Sequence, residues 1–264
     1  MNAYSRLLFD MNGSVARVTL NRPDAANALD FEMARELSDV SRRCEEHSNI
    51  RAVILTGAGK MFCGGGDLKA FAAQSSASLS EYIEGTAKYM HHAVIRFARM
   101  RAPLIAAVNG PAGGAGMSLA LAADFTMVAE SVKMTLGYSR AGLTPDGSST
   151  YFLPRLVGPK RALELAVTSR VLSAREALEL GLVTRVIADD RLMAEAEALA
   201  AELANGPTNA YGGIKRLLLM SGTNTLEEQL DYESSTVARM ARTHDGPEGI
   251  SAFVQKRAPR FSGE

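Results

Sequence analysis

The chain has 264 residues, of which 47% are hydrophobic and 22% charged, a composition typical of a soluble protein that folds without disulfides or a structural metal. Lysine plus arginine and aspartate plus glutamate both total 29, so no surplus of positive charge favours binding to nucleic acid or to an anionic membrane. Two cysteines are too few for a disulfide framework or a zinc site, no apolar run reaches the ~18 residues of a membrane span, and the first ten residues lack a secretory pattern, so we expect a cytoplasmic protein.

The first half of the chain predicts strands that alternate with helices. A hairpin is predicted over residues 6–21, because β-prone runs flank the turn signal Asn12-Gly13. Residues 29–46 carry apolar side chains at helical spacing. Short apolar strands are predicted at residues 52–56, 104–108 and 125–129. An irregular helical stretch over residues 68–100 and a helix of small residues over 117–123 lie between them.

The second half of the chain becomes increasingly helical. Ser173 and Glu176 have the spacing of a capping box, which predicts a helix that ends at Gly181. Residues 183–187 return to a strand pattern, and helical patterns continue from residue 192 to the end. Alternating strands and helices followed by helices alone predict an α/β fold with a helical C-terminal region.

Two glycine-rich loops are the most informative local features. In the first, Gly64, Gly65 and Gly66 precede Asp67, which is placed to cap the next helix. The second covers residues 109–116, between a buried strand and a helix. Glycine lets the backbone approach a ligand closely, and a helix start exposes N–H groups that suit an anion or a developing oxyanion. A plain turn and tight helix packing also require small residues, so both remain open. Neither loop matches the glycine motifs of nucleotide-binding proteins.

Six blocks of sequence, in order, resemble the crotonase family of enoyl-CoA hydratases and isomerases. These blocks cover residues 20–29, 52–68, 106–119, 142–158, 174–183 and 252–261. The resemblance implies a crotonase-like spiral of ββα units over residues 1–195 and a helical oligomerisation region over residues 196–264. It also implies assembly as a homotrimer or as a hexamer made of two trimers. The implied substrate is an acyl-CoA thioester, with no metal and no cofactor other than the coenzyme A that the substrate carries.

The resemblance assigns three catalytic groups. Gly66 and Ala115 would supply the two N–H groups that bind the thioester oxygen. Asp146 matches the aspartate of the family's isomerases and would carry a proton between two substrate carbons, although Pro-Asp-Gly is also typical of a simple turn. Hydratases have two glutamates where this chain has Ser118 and Tyr138, so we expect isomerisation rather than hydration. A hydratase of low activity and a catalytically silent acyl-CoA-binding protein are the alternatives.

A larger set of residues is predicted to contact the substrate. It comprises Ala26, Ala28, Cys63, Gly64, Asp67, Leu68, Gly114, Ser118, Leu136, Tyr138, Phe253 and Lys256. Further candidates for the acyl pocket are Phe71, Met90 and Met134, and further candidates for the coenzyme A phosphates are Arg22 and Lys215. His91 is predicted to lie at the surface or the pocket rim without an acidic partner, and Asp124 to make a structural pair or cap.

Overall fold

A computed structural model describes residues 4–264. Residues 1–3, which form part of the segment predicted to lack a secretory pattern, lie outside the described residues. Within residues 4–264, no helix is both long and apolar enough to cross a lipid bilayer.

A six-stranded sheet forms the centre of the molecule. Its strands, in spatial order, are β1 (Leu7–Asn12), β2 (Val15–Leu20), β3 (Ala52–Gly57), β4 (Leu104–Val108), β6 (Phe125–Ala129) and β9 (Arg185–Ile187). The first two strands form the predicted antiparallel hairpin, and all other neighbours pair in parallel. Every residue of β3 and β4 is buried, as their uninterrupted apolar sequences predict.

A small second sheet includes two residues of the second glycine loop. It contains β5 (Ala112–Gly113), β7 (Lys133–Thr135) and β8 (Leu172–Ser173). Strand β7 pairs in parallel with β5 and antiparallel to β8. These strands have only two or three residues each, which is too short for a recognisable alternation of polar and apolar side chains. None of these three strands is predicted from the sequence.

Helices pack around the sheets and make up the C-terminal region. They are α1 (Phe31–Glu46), α2 (Leu68–Ala72), α3 (Leu79–Arg99), α4 (Ala115–Leu121), α5 (Ser149–Val157), α6 (Pro159–Thr168), α7 (Ala174–Glu179), α8 (Leu192–Ala204), α9 (Thr208–Met220), α10 (Leu226–Met240) and α11 (Asp245–Val254). The capping box before α7 is confirmed. Helix α4 begins two residues earlier than predicted, directly after Gly114. The predicted boundary after residue 195 falls within α8 and stays a prediction.

A largely buried ion pair anchors α9 to the core. The Lys215 ammonium lies 2.6 Å from the Asp124 carboxylate and donates to the carbonyl oxygens of Phe97 and Ala102. Asp124 also accepts from the N–H of Leu104 at the start of β4. The structural role predicted for Asp124 is therefore confirmed. The prediction that Lys215 contacts a coenzyme A phosphate is wrong, because the Lys215 ammonium already pairs with Asp124 and two carbonyl oxygens inside the protein.

Candidate active site

The two glycine loops lie against each other at the edge of the central sheet. Cys63 and Ala112 form a parallel bridge, and the N–H of Gly113 donates to the Cys63 carbonyl oxygen at 2.9 Å. The segment before α1 supports the first loop from its other side. There the Gly64 N–H donates to the carbonyl oxygen of Ala26 at 2.8 Å. The position of the first loop is therefore fixed from two directions.

Only glycine fits at the closest approach of the two loops. Gly65 has a φ of +103°, and a methyl group there would lie 2.9 Å from the Gly113 carbonyl oxygen. A methyl group at Gly116 would lie 2.3 Å from the Cys63 carbonyl oxygen. The glycines thus serve close backbone contact rather than flexibility, which answers the question that the sequence alone left open.

Two backbone N–H groups remain unused where the loops meet. Among the described residues, the N–H groups of Gly66 and Ala115 donate to no protein acceptor. Both residues line the same cavity, and a methyl group at Gly65 would lie 3.4 Å from the Ala115 nitrogen. Two unused donors beside one cavity can bind a carbonyl oxygen.

Asp67 and Arg22 hold the first loop in place. The Asp67 carboxylate caps α2 by accepting from the N–H groups of Lys69 and Ala70. The Arg22 guanidinium lies 2.9 Å from Asp67 and 3.4 Å from Asp30. Although burial opposes ionisation, the Ala70 N–H and Arg22 hold the pKa of Asp67 below its usual range. Arg22, predicted to be available to a coenzyme A phosphate, is instead engaged with the loop.

The cavity beside the loops has a volume of about 250 Å³ and mostly apolar walls. Helix α3 supplies one wall with side chains at the spacing of a single helical face, namely Ile83, Thr86, Ala87 and Met90. The remaining lining residues are Leu29, Gly64, Gly65, Gly66, Leu68, Phe71, Gly114, Ala115, Leu136, Gly137, Tyr138, Ala141, Leu143, Thr144 and Asp146. Among these residues, only Asp146 carries an acidic side chain.

Hydroxyl groups hold Asp146 from the interior side. The Tyr138 hydroxyl donates to Oδ1 of Asp146 at 2.5 Å, and the Ser118 hydroxyl donates to the Asp146 carbonyl oxygen at 3.0 Å. The two hydroxyl oxygens lie 3.2 Å apart. Burial, and then the Asp146 charge, raise the pKa of Tyr138 above its ordinary value. Its phenol is therefore neutral and able to donate.

His91 holds the same turn from the outer side. Its Nε2 accepts from the N–H of Gly147 at 3.3 Å and lies 3.9 Å from Oδ2 of Asp146. Its side chain is 44% exposed, so the predicted rim position agrees with the structure, but the prediction that it lacks an acidic partner is wrong. His91 lies 56 residues before Gly147, and no local pattern links them.

The predicted substrate-contact residues separate into three groups. Those that line the cavity are Gly64, Leu68, Gly114, Leu136 and Tyr138, joined by the acyl-pocket candidates Phe71 and Met90. Those that lie outside the lining, in or beside the loops, are Ala26, Ala28, Cys63, Asp67 and Ser118; Met134 is likewise buried away from the cavity. Phe253 on α11 and Lys256 just after it are exposed and do not line the cavity. Contacts of Phe253 and Lys256 with a substrate stay predictions.

Similarity to known proteins identifies the family of this chain. The sequence model of the enoyl-CoA hydratase/isomerase family matches residues 10–264. The chain belongs to the enoyl-CoA hydratase/isomerase family. The membership that the six sequence blocks implied is thereby confirmed, and the chain is an enzyme of this family, for which an acyl-CoA thioester is the expected substrate.

Individual members of the enoyl-CoA hydratase/isomerase family match along nearly the whole chain. The 1,2-epoxyphenylacetyl-CoA isomerase of Escherichia coli (strain K12) is 38% identical over 258 residues, which cover 98% of each chain. A probable enoyl-CoA hydratase of Rhodobacter capsulatus is 34% identical and covers 99% of each. The crystal structure of enoyl-CoA hydratase from Bacillus anthracis superposes with a TM-score of 0.91 at 34% identity, covering 98% of this chain and all of that one. The predicted crotonase-like fold is therefore confirmed.

Proposed function

We propose that this protein shifts the double bond of an unsaturated acyl-CoA, with Asp146 as the acid and base. The observation that carries the proposal is the position of Asp146. It is the only acidic residue among those that line the cavity, and the unused N–H groups of Gly66 and Ala115 line the same cavity. A bound thioester would meet both an oxyanion site and one base.

The reaction proceeds through a dienolate. The N–H groups of Gly66 and Ala115 bind the thioester oxygen, and each donor contributes about 3 kcal/mol to stabilising the negative charge that develops there. Asp146 removes a proton from the α-carbon of a 3-enoyl thioester, and the electron pair of that C–H bond moves onto the thioester oxygen, which gives a dienolate conjugated with the 3,4 double bond. Asp146 then returns the proton to the γ-carbon, and the double bond moves to the 2,3 position to leave a conjugated 2-enoyl thioester. No cofactor is required, because the thioester itself accepts the charge.

The hydrogen bonds of Asp146 favour this role. Tyr138 occupies Oδ1, so Oδ2 remains for proton transfer. Because Tyr138 and Ser118 fix both the carboxylate and the backbone of residue 146, the base is held in one orientation. A fixed orientation is what a proton transfer between two neighbouring carbons requires.

Hydration is the less favoured reaction. Adding water across a double bond requires a group that takes a proton from water and a group that supplies a proton to carbon. The positions of the hydratase glutamates carry Ser118 and Tyr138, both neutral and both bonded to Asp146. The name of the Escherichia coli relative also favours isomerisation, whereas other relatives are named hydratases. We therefore keep slow hydration and silent acyl-CoA binding as the alternatives.

The cavity suggests a compact acyl group. Its volume of about 250 Å³ is slightly smaller than the roughly 300–1,000 Å³ of most small-molecule sites, and the α3 wall is apolar apart from Thr86. Phe71 and Tyr138 add aromatic walls, which suit a short unsaturated chain or a single ring.

Assembly into trimers or paired trimers remains a proposal, as do the cytoplasmic location and the lack of a nucleic-acid partner. Exposed apolar side chains on the C-terminal helices support contact between copies: Leu218, Leu230 and Phe253 are 70%, 53% and 86% exposed.

A substrate screen tests the proposal. The protein is incubated separately with 3-enoyl-CoA and with 2-enoyl-CoA, and the absorbance of the conjugated thioester is followed. We expect absorbance to appear with the 3-enoyl substrate and to change little with the 2-enoyl substrate. Faster loss of the 2-enoyl signal would identify a hydratase instead. Binding without turnover of either substrate would identify a silent binding protein.

A further inference from the structure

Two consecutive residues of α3 hold the turn that carries the base. Met90 packs on Gly147, since a methyl group on Gly147 would lie 2.3 Å from Cε and 3.1 Å from Sδ of Met90. The next residue, His91, accepts the Gly147 N–H on Nε2 at 3.3 Å. Gly147 has a φ of +60°, so this turn depends on glycine and on the contacts that clamp it.

The hydrogen bond to His91 requires one protonation state. A neutral imidazole has one nitrogen that accepts and one that donates, whereas both nitrogens of an imidazolium donate. Because Nε2 accepts from Gly147, the proton of the neutral ring belongs on Nδ1. Adding a second proton would place two donors, the Gly147 N–H and the His91 Nε2–H, opposite each other.

The same nitrogen faces the base. Nε2 of His91 lies 3.9 Å from Oδ2 of Asp146, the oxygen that Tyr138 leaves unoccupied. A protonated ring would release Gly147 and attract Oδ2, and the carboxylate would then be paired when it should accept a substrate proton. Loss of the contact with Gly147 and pairing of Oδ2 would both lower the activity of Asp146 as a base.

We propose that His91 is a positioning residue for Asp146 and works only when its ring is neutral. The proposal rests on the isomerase function proposed above. Neutral His91 holds the Gly147 turn so that Oδ2 faces the substrate. Protonated His91 removes that support and binds the carboxylate. His91 would therefore set the acidic limit of activity, because protonation of its ring both removes the acceptor for the Gly147 N–H and pairs Oδ2 of Asp146.

Other charges near His91 are already paired. On its own helix, Lys88 lies 2.6 Å from Glu84. The cations that pack between α3 and its neighbours α1 and α9 lie toward the end of α3, where Arg96 bonds to Ser38 and Lys215 to Phe97. From the turn, Asp146 is the charged group that faces the ring, with Tyr138 behind it.

Two substitutions separate the two roles of His91. In His91→Gln, the amide oxygen can accept the Gly147 N–H but the side chain cannot be protonated. In His91→Ala, no acceptor remains. We expect His91→Ala to lower kcat for 3-enoyl-CoA isomerisation about tenfold or more with little change in KM, and His91→Gln to restore most of that loss. In His91→Gln the acidic limb of kcat/KM should lie at lower pH than in the wild type, because the amide side chain cannot be protonated.

A second measurement does not depend on activity. With ¹⁵N-labelled histidine, the His91 signals are assigned by their absence in His91→Gln, and at alkaline pH they should show the proton on Nδ1. A proton on Nε2 would overturn the proposal whether or not the protein turns over substrate. Coincident acidic limbs in the wild type and His91→Gln would also overturn it. Failure of the isomerase proposal itself would appear differently, as no turnover by the wild type or full turnover by Asp146→Asn.

Discussion

The hydroxyl of Tyr138 donates a 2.5 Å hydrogen bond to Oδ1 of Asp146, and this contact decides which oxygen of the base faces the cavity freely. The other oxygen, Oδ2, lies toward His91 at the rim. Asp146 is thus held between a partly buried phenol and a half-exposed imidazole. In this arrangement the residues flanking the carboxylate determine its orientation and the pH range in which it can act as a base.

Replacing Tyr138 by phenylalanine should lower the rate while sparing binding. The variant Tyr138→Phe keeps the ring in the cavity wall but removes the donor to Asp146, so the carboxylate gains orientational freedom. We expect kcat to fall about ten- to a hundredfold, with acyl-CoA affinity nearly unchanged. Steady-state kinetics and binding calorimetry measure the two quantities. Tyr232→Phe, away from the cavity, is the matched control. An unchanged kcat would show that the hydrogen bond does not orient the base.

Activity should persist into the alkaline range. Burial and the nearby Asp146 charge raise the pKa of Tyr138, so the phenol stays protonated at about pH 10, where an unperturbed tyrosine titrates. The hydrogen bond to Asp146 therefore survives there. We expect kcat to stay level between about pH 8 and 10 while the fold is intact, as followed by circular dichroism. A decline of kcat in this range, absent from Tyr138→Phe, would contradict this prediction.

Adding one methyl group at Gly65 should disrupt the site. Its φ of +103° and the 2.9 Å approach to the Gly113 carbonyl oxygen leave no room for alanine. We expect Gly65→Ala to lower the free energy of unfolding by about 1–3 kcal/mol and to abolish most activity, because the donors of Gly66 and Ala115 move apart. Gly181→Ala is the control, since Gly181 has a φ of +74° but no neighbouring atom within 4 Å. Gly181→Ala should lower the free energy of unfolding, measured by urea denaturation, without lowering activity.

The pair formed by Lys215 and Asp124 should matter for stability and not for substrate binding. Lys215→Met leaves the Asp124 carboxylate buried without its partner, so we expect the free energy of unfolding to fall by about 3–5 kcal/mol. The double variant with Asp124→Asn should recover part of that loss. Urea denaturation gives these values. A raised KM for acyl-CoA in a fully folded Lys215→Met variant would instead support a contact with coenzyme A.

Neither cysteine should react in the folded protein. Burial raises the pKa of the Cys44 and Cys63 thiols to about 12, so almost no thiolate is present at pH 8. Titration with a chromogenic disulfide should detect no thiol in the native state and both after denaturation. Rapid native reaction that acyl-CoA blocks would show that Cys63 reaches the cavity, contrary to its complete burial and its absence from the cavity lining.

The sequence could predict features that depend on neighbouring residues. The hairpin around Asn12-Gly13 and the buried strand β3 follow from local turn chemistry and hydrophobic density. The two glycine-rich loops could be identified for the same reason, because the glycines of each loop lie close together in the sequence. The second sheet was missed because its strands are too short to show a pattern, and no pattern was recognised for α5 and α6.

Contacts between distant residues could not be predicted in the same way. Arg22 and Asp67 are 45 residues apart, and His91 lies 56 residues before Gly147. Both pairs form only because α3 and the segment before α1 pack beside the loops. Because of these contacts, Arg22 supports the first loop instead of being available to a phosphate. His91 likewise has an acidic neighbour, Asp146, that its sequence surroundings do not indicate.

The most direct test of the central claim compares Asp146→Asn with the wild type in the isomerisation of 3-enoyl-CoA, with Asp190→Asn, an exposed carboxylate away from the cavity, as the matched control. Asparagine preserves the shape of the side chain but cannot accept the proton. We predict that Asp146→Asn loses about a hundredfold or more of kcat while binding acyl-CoA with nearly wild-type affinity, and that Asp190→Asn loses nothing. Wild-type turnover by Asp146→Asn would contradict the role of Asp146 as the base.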